Sequence, residues 1–349
     1  MKNVHIAVIG GDGVGPEVIS AALHLLQHPS LGLGNLQYTF IDAGFDYYQR
    51  SGECISESSL RLCKQADAVF YGANTNPPDE PGYESLTLKL RRSLELFANI
   101  RPACSLPVPG VSQGIDIVLF RENTECLYAQ IERETDEGVI AERWITRSAC
   151  ERIIRSAFEF ARKHKRSSVT LVHKANVLKK SCGLFRRVGF EIAEKYPEIE
   201  TREMLVDAAA MKLIQDPKAF DVIVTTNLFG DILSDEASAL VGGLGMAPSA
   251  NIGLRSAMFE PVHGSAPDIA GTGKANPTAA ILSACMMLEY LGYSQQAQDI
   301  QTAVNRVFAS GRTTQDLGGL LSLTEFVNAV SAQLEESFNL DSQWARVGM

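Results

Sequence analysis

Two aspartates four residues apart, Asp231 and Asp235, follow a short β-branched run, Asp221-Val-Ile-Val-Thr-Thr226, and the turn Asn227-Leu-Phe-Gly230. On a helix that spacing stacks both carboxylates on one face. Alone they repel each other, and a hard divalent cation such as Mg²⁺ or Mn²⁺ removes the repulsion. The competing reading is an acidic first turn that complements the helix dipole. Upstream, Arg91 lies in an amphipathic helical stretch over 85–97, Arg101 in the Asn99-Ile-Arg-Pro102 run that breaks it, and Arg121 just after a strand over 115–120. Each guanidinium can fork onto a carboxylate, so three of them suit one polyanionic ligand. The alternative is three unrelated surface arginines. His173-Lys-Ala-Asn176 ends the strand over 169–172, and a lysine there, in a cleft with carboxylates, can be tuned to act as acid or base. Asp207 ends a strand over 201–206, a third carboxylate at an element end, and Tyr128 follows soon after Arg121-Glu-Asn-Thr-Glu125.

The elements that must hold these groups alternate. Strands are expected over 5–9, 36–41, 68–71, 115–120, 169–172, 201–206 and 221–226. Helices are expected from about 17, over 57–65, 85–97, 144–165 and 184–195, after Gly230, and over 276–291, with a helical C-terminal third broken at Gly318-Gly319. This alternation predicts an α/β architecture. The first strand runs into Gly10-Gly-Asp-Gly-Val-Gly-Pro16, which is not a dinucleotide fingerprint: Gly11, Gly13 and Gly15 run G-x-G-x-G and Pro16 follows at once. The turn serves either close backbone approach to a ligand or tightness alone. Glu260-Pro-Val-His-Gly-Ser-Ala-Pro-Asp268 reads as a loop of turn residues.

At 349 residues the chain has room for two domains. A formal net charge of −9 argues against nucleic acid as the main partner, and the short basic run Lys163-His-Lys-Arg166 reads as a solvated helix end. No segment approaches the roughly 18 apolar residues of a membrane helix, and the N-terminus lacks a signal-peptide core. Seven dispersed cysteines without CxxC fit reduced thiols, so a cytoplasmic location is expected.

Taken together the motifs resemble the metal-dependent β-decarboxylating dehydrogenases that act on isocitrate, homoisocitrate, 3-isopropylmalate and tartrate. Gly10-Gly-Asp-Gly-Val-Gly-Pro-Glu17, Leu90-Arg-Arg, Asn99-Ile-Arg-Pro102, Arg121-Glu-Asn-Thr-Glu125, His173-Lys-Ala-Asn176, Asn227-Leu-Phe-Gly-Asp-Ile-Leu-Ser-Asp235, His263-Gly-Ser-Ala-Pro-Asp268 and Asp316-Leu-Gly-Gly319 occur in family order along essentially the whole chain. The resemblance implies that family's fold, two α/β domains sharing a large mixed sheet and not a Rossmann fold. It implies a discontinuous cofactor-binding domain over 1–98 plus 250–349, and a smaller domain over 99–249 carrying the dimer interface and metal ligands.

The same resemblance assigns roles. Arg91, Arg101 and Arg121 would bind the carboxylates of a malate core, with Ser85, Thr87 and Asn176 completing the substrate site. Asp231 and Asp235 would ligate Mg²⁺ or Mn²⁺ with Asp207 of a neighbouring subunit. Lys174, reaching across the same interface, would assist removal of the hydroxyl proton, and Tyr128 would reprotonate the enol. Such shared sites imply a homodimer. The cofactor would lie against His263, Gly264, Ser265, Ala266, Asp268 and Ile269, with Asn74, Glu260 and Asn276 nearby. Where NADP-using relatives resemble each other in a Lys-Tyr pair, this chain has Asp268-Ile269, and a carboxylate there accepts from a ribose 2′-OH and repels a 2′-phosphate, which predicts NAD. Ser85-x-Thr87 is closer to isocitrate enzymes, whereas 72–77, Pro81-Gly-Tyr83 and Gln130-Ile-Glu-Arg133 look more like homoisocitrate enzymes. Cys126 stands where relatives often carry Gly or Asp. Alternatives within the family are 3-isopropylmalate or tartrate dehydrogenase; outside it, a non-catalytic regulatory subunit.

Overall fold

The computed structural model describes residues 3–80 and 82–347, with 337–347 as backbone only. Pro81, one of the residues of the homoisocitrate-like motif, lies outside them. Among the described residues the strands are β1 (Val4–Gly11), β2 (Leu36–Ile41), β3 (Ala68–Ala73), β4 (Ala98–Cys104), β5 (Asp116–Glu122), β6 (Glu132–Thr135), β7 (Gly138–Ala141), β8 (Ser168–His173), β9 (Glu200–Leu205), β10 (Val222–Thr225), β11 (Pro248–Ile252) and β12 (Ala257–Pro261). Ten of these form one sheet in the order β2-β1-β3-β12-β11-β4-β5-β10-β8-β9, and β6 and β7 pair as a separate exposed hairpin. The two wings are parallel, and the centre, from β12 through β11 and β4 to β5, is antiparallel. The strands β3, β8 and β10 are buried at every position, as expected where helices cover both faces of a parallel sheet. This is the mixed-sheet α/β architecture expected, and not a Rossmann arrangement.

Three local expectations are corrected. The run Asn99-Ile-Arg-Pro102, expected to break a helix, is inside β4. The proline is tolerated because β11 pairs with β4 only through Ala98, Asn99 and Ile100, so Pro102 lies where β4 has β5 as its paired neighbour. Asn227-Leu-Phe-Gly230 is not a turn but the first turn of the helix Asn227–Leu240. Thr226, in an extended conformation, caps it directly from the end of β10, and its carbonyl accepts the Gly230 N–H at 2.9 Å. Glu260, read as loop, belongs to β12, a strand too short for its alternation to show in sequence.

Packing divides along the sheet. One large apolar cluster joins β1, β3 and the helix Gly15–Leu26 to Thr278–Tyr290, Ser294–Ala309 and the C-terminal helix Leu323–Val347. A second joins β5, β8 and β10 to the helices Arg147–Lys163 and Ser181–Ala193. The antiparallel strands between them carry the site.

Candidate active site

A row of buried amides and carboxylates crosses the antiparallel centre. Asn99 on β4 lies opposite Asn251 on β11 and Arg121 on β5. Asn99 Nδ2 donates to Asn251 Oδ1 at 2.8 Å, Asn123 Nδ2 donates to the same oxygen at 2.9 Å, and Asn251 Nδ2 donates to Glu260 Oε1 at 2.7 Å. Glu260 in turn accepts from Arg91 Nη2 at 2.9 Å. A buried amide costs free energy unless it is paired, and a chain of paired amides has one low-energy arrangement. The row therefore fixes Arg91 and Arg101 relative to each other: Arg101 Nε donates to Asn99 Oδ1 at 2.6 Å.

The third arginine is fixed from the other side. Arg121 is 1% exposed, and its Nε and Nη2 both donate to Asn227 Oδ1, at 3.0 and 2.9 Å. The helix Asn227–Leu240 sits this close because of Gly230, where an added Cβ would meet the Arg121 side chain at 2.7 Å. Arg121 Nη1 then pairs with Asp231 Oδ1, and the Arg101 Nη1 lies 3.5 Å from that oxygen and 3.3 Å from Asp235 Oδ1. Both aspartates thus lie on one face of the helix, as their spacing predicted, and the nitrogen between them belongs to Arg101. The Tyr128 hydroxyl donates to Asp231 Oδ2, and the Arg121 guanidinium lies 4.9 Å from the centre of the Tyr128 ring.

Three buried cations set the electrostatics. Burial, then the neighbouring guanidiniums of Arg121 and Arg91, weaken the hold of Arg101 on its proton, while Asp231 and Asp235 oppose this. Burial works against the charge on Asp231, yet Arg121, Tyr128 and Arg101 outweigh it and hold that carboxyl below the usual aspartate range. Burial, with the adjacent Asp231 charge, raises Asp235. Tyr128 is raised, first by burial and then by its bond to Asp231, so it keeps its proton. A cavity of about 490 Å³ opens onto Arg91, Arg101, Arg121, Tyr128 and Asp231. Its other end is lined by Ser85, Thr87 and Leu88, with Tyr83, Gln130 and Pro77. Ser85 precedes the helix Leu86–Ser93, and the Thr87 hydroxyl lies 3.2 Å from that of Tyr71. Leu88, Tyr83, Asn99, Asn227 and Ser234, which accepts from Arg101 at 2.8 Å, were given no site role from sequence, although all but Leu88 lie in the motifs quoted there. Four of the five lie one or two residues from an arginine, aspartate or pocket residue that was, so motif adjacency was the available signal.

Lys174, Asn176 and Asp207 are elsewhere in the single chain. Lys174 Nζ pairs with Asp207 at 2.6 Å, and Asn176 lines a second cavity with His173, Arg186 and Glu203. Asp207 is in the first turn of the helix Val206–Gln215, two residues past β9. Among the described residues of one chain, no three metal-capable side chains come together. Asp231 and Asp235 alone offer hard carboxylate oxygens, one held ionised, facing the same space, which fits Mg²⁺ or Mn²⁺ with further donors from outside the chain.

Four of the nine predicted cofactor residues line the other flank. A smaller cavity of about 150 Å³ is bounded by Asn74, Glu260, His263 and Gly264, and shares Thr87, Arg91 and Arg101 with the larger one. Asn74 donates to Asn76 at 2.6 Å and accepts from Tyr83 at 2.7 Å. His263 Nδ1 faces the Gly264 carbonyl, and its Nε2 is buried with no partner, an orphan that suits a polar ligand atom. Asp268 is exposed, Ile269 partly so, and Asn276 is buried, donating to Asp316 at 3.0 Å. Ala266 has φ +37°. The glycine turn holds this loop: Val14 N–H donates to the Ser265 carbonyl at 2.8 Å, and a Cβ at Gly13 would stand 2.0 Å from that oxygen. The close approach is backbone to backbone. Glu260, expected at the cofactor, has its carboxylate turned inward onto Arg91 and Asn251.

Three arginines, the paired aspartates and the half-buried Tyr128 thus meet on the antiparallel centre of the sheet, a set that suits a small polyanionic ligand. The family model described as isocitrate/isopropylmalate dehydrogenase matches residues 5–330, and the chain belongs to that family of β-decarboxylating dehydrogenases. It is 49% identical to a 3-isopropylmalate dehydrogenase of Archaeoglobus fulgidus, over 95% of this chain and 99% of that one. It is 47% identical to an isocitrate/homoisocitrate dehydrogenase of Thermus thermophilus, over 95% and 98%. The crystal structure of isocitrate dehydrogenase from Methylococcus capsulatus superposes with a TM-score of 0.90 at 42% identity, covering 95% of this chain and 99% of that one.

Proposed function

We propose that the protein oxidatively decarboxylates a 3-substituted malate, isocitrate or homoisocitrate, with NAD and Mg²⁺ or Mn²⁺. The observation that carries this is the convergence of Arg91, Arg101 and Arg121 on one cavity with Tyr128 and Asp231. Three fixed guanidiniums neutralise the carboxylates and orient C2 and C3. Lys174, from a second copy, takes the C2 hydroxyl proton, and Tyr128, held protonated, supplies a proton to C3 after CO₂ has left. Asp268 at the exposed loop would accept from the free ribose 2′-OH of NAD, which when bound would supply the hydride acceptor. Asp231 and Asp235, with Asp207 of a second copy, would hold a divalent cation, which would supply Lewis-acid chemistry there.

Two apolar faces support a homodimer: Met211 and Ile214 on the helix Val206–Gln215, which also carries Asp207, and Ile232 on Asn227–Leu240, which carries Asp231 and Asp235, are each more than half exposed. The apolar clusters support a division into 1–98 with 250–349, and 99–249. Seven unpaired cysteines support a cytoplasmic setting, and among the described residues no helix is long and apolar enough to cross a membrane.

The hydroxyls of Ser85 and Thr87 favour a polar third group; Leu88 beside them favours 3-isopropylmalate as the second reading. The purified protein, assayed with NAD⁺, Mg²⁺ or Mn²⁺ and isocitrate, homoisocitrate, 3-isopropylmalate and tartrate, decides between them. A kcat/KM at least about tenfold higher for a tricarboxylate, roughly 1.4 kcal/mol of transition-state preference, is expected. The reverse ratio selects the second reading, and no reduction with any acid rejects both.

A further inference from the structure

Lys174 stands one residue beyond β8, on a turn whose conformation must place its amine. The turn is held by the residue before it. His173 is 3% exposed, and its Nδ1 lies 3.2 Å from the backbone N of Ala175. That N–H can only donate, so Nδ1 accepts, and the ring proton is on Nε2. Nε2 faces Glu203 Oε2 at 3.3 Å. Glu203, on the adjacent strand β9, is itself gripped by Arg186 of the helix Ser181–Ala193, whose Nη2 donates to Oε1 at 2.9 Å while Nε engages Oε2. A line of bonds therefore runs from Arg186 through Glu203 and the imidazole to the peptide between Lys174 and Ala175. Burial also lowers the proton affinity of His173, which favours the neutral ring that this pattern requires.

We infer that His173 is a positioning residue: its ring, oriented by Glu203 and Arg186, locks the turn that carries Lys174 and Asn176 and so aims the lysine amine at the site of a second copy. The inference rests on the proposed role of Lys174. It explains why a buried imidazole with a fixed tautomer occurs outside the main cavity, next to a lysine paired only with Asp207. A residue that aims a base changes kcat more than substrate affinity, because the arginines that hold the carboxylates are on the helix Leu86–Ser93 and on β4 and β5.

The test compares H173F, which keeps a buried ring and loses the acceptor, with H173N, whose side-chain oxygen can accept an N–H two residues on. Activity is read as NAD⁺ reduction by the preferred acid, and the Ala175 amide by hydrogen exchange. K174M, expected to lose at least about 100-fold in kcat, reports on the underlying reading. H173F is expected to lower kcat about tenfold or more with KM within about twofold of wild type, and to exchange the Ala175 amide at least about tenfold faster; H173N is expected to recover most of both. Equal losses in H173F and H173N, or H173F with kcat within twofold of wild type, overturns the inference. Should H173F fail to fold, E203A takes its place on the half-exposed end of the line: a severalfold fall in kcat at unchanged KM supports the inference, and wild-type kcat overturns it. If K174M keeps wild-type activity, the role of Lys174 falls and the inference with it, whatever the exchange data show.

Discussion

At the scale of single residues, Tyr128 and Cys126 make the sharpest demands. Tyr128 gives its proton to Asp231 in a hydrogen bond, beside the Arg121 guanidinium. Y128F removes the hydroxyl and keeps the ring, so a fall in kcat of about 100-fold with little change in KM is expected in steady-state assays. Because burial and Asp231 raise Tyr128, its acid form persists as pH rises past the ordinary tyrosine range of about 10, and the alkaline limb it governs lies above that value. Cys126 was legible from sequence only as a departure from the family. Its backbone, at φ +73° and ψ −146°, lies in a region that suits glycine. The position is kept by a bridge in which Cys126 N–H donates to the Trp144 carbonyl at 2.8 Å. C126G is expected to change unfolding free energy by less than about 1 kcal/mol, whereas C126V, β-branched at a positive φ, should lose about 2 kcal/mol or more in urea titrations. What sequence could not show at this scale was the amide row from Asn123 to Glu260, since its members are scattered over three strands and the residue after a fourth, and no spacing relates them.

Among elements, the sheet is tied at the end away from the chemistry. Arg166 donates to both Asp116 oxygens at 2.7 Å and to Asp221 at 3.2 Å, and Asp221 accepts the Ser167 N–H at 2.6 Å. Asp116, Ser167 and Asp221 stand at or beside the starts of β5, β8 and β10, whose far ends present Arg121, Lys174 and Thr226. The hydrogen bond from Arg166 outweighs burial and lowers Asp116. A folded-state value below the unfolded one contributes stability above the ordinary aspartate range of about 4, and that contribution is lost as pH falls toward the depressed value. The stability difference between wild type and D116N should therefore be constant from about pH 5 to 8 and shrink below about pH 4. A difference that shrinks instead on the alkaline side would contradict the assignment. The long parallel strands and amphipathic helices were legible because their periodicity is strong. The strands β4, β11 and β12 were not: each carries proline and a buried polar residue, and each takes its identity from neighbours distant in sequence.

At the scale of the molecule, the separation of Lys174 and Asp207 from Tyr128 and Asp231 makes a quantitative demand on assembly. If each site draws a lysine from one copy and a tyrosine from the other, K174M and Y128F homodimers are both inactive. A mixed dimer then holds one intact site and one doubly impaired site. Random reassociation of equal amounts makes half the dimers mixed, so about one quarter of wild-type activity should return. No recovery would place both groups in one chain. The sheet itself carries a further consequence. Because ten strands hydrogen-bond without interruption from β2 to β9, neither lobe ends in a sealed boundary. Cutting the chain between them would lay bare the ladder of β4 or β11, an open invitation to pair with another molecule. Isolated halves should therefore clump when expressed alone, and the chain must finish synthesis before its two lobes can be safely shielded from one another's neighbours.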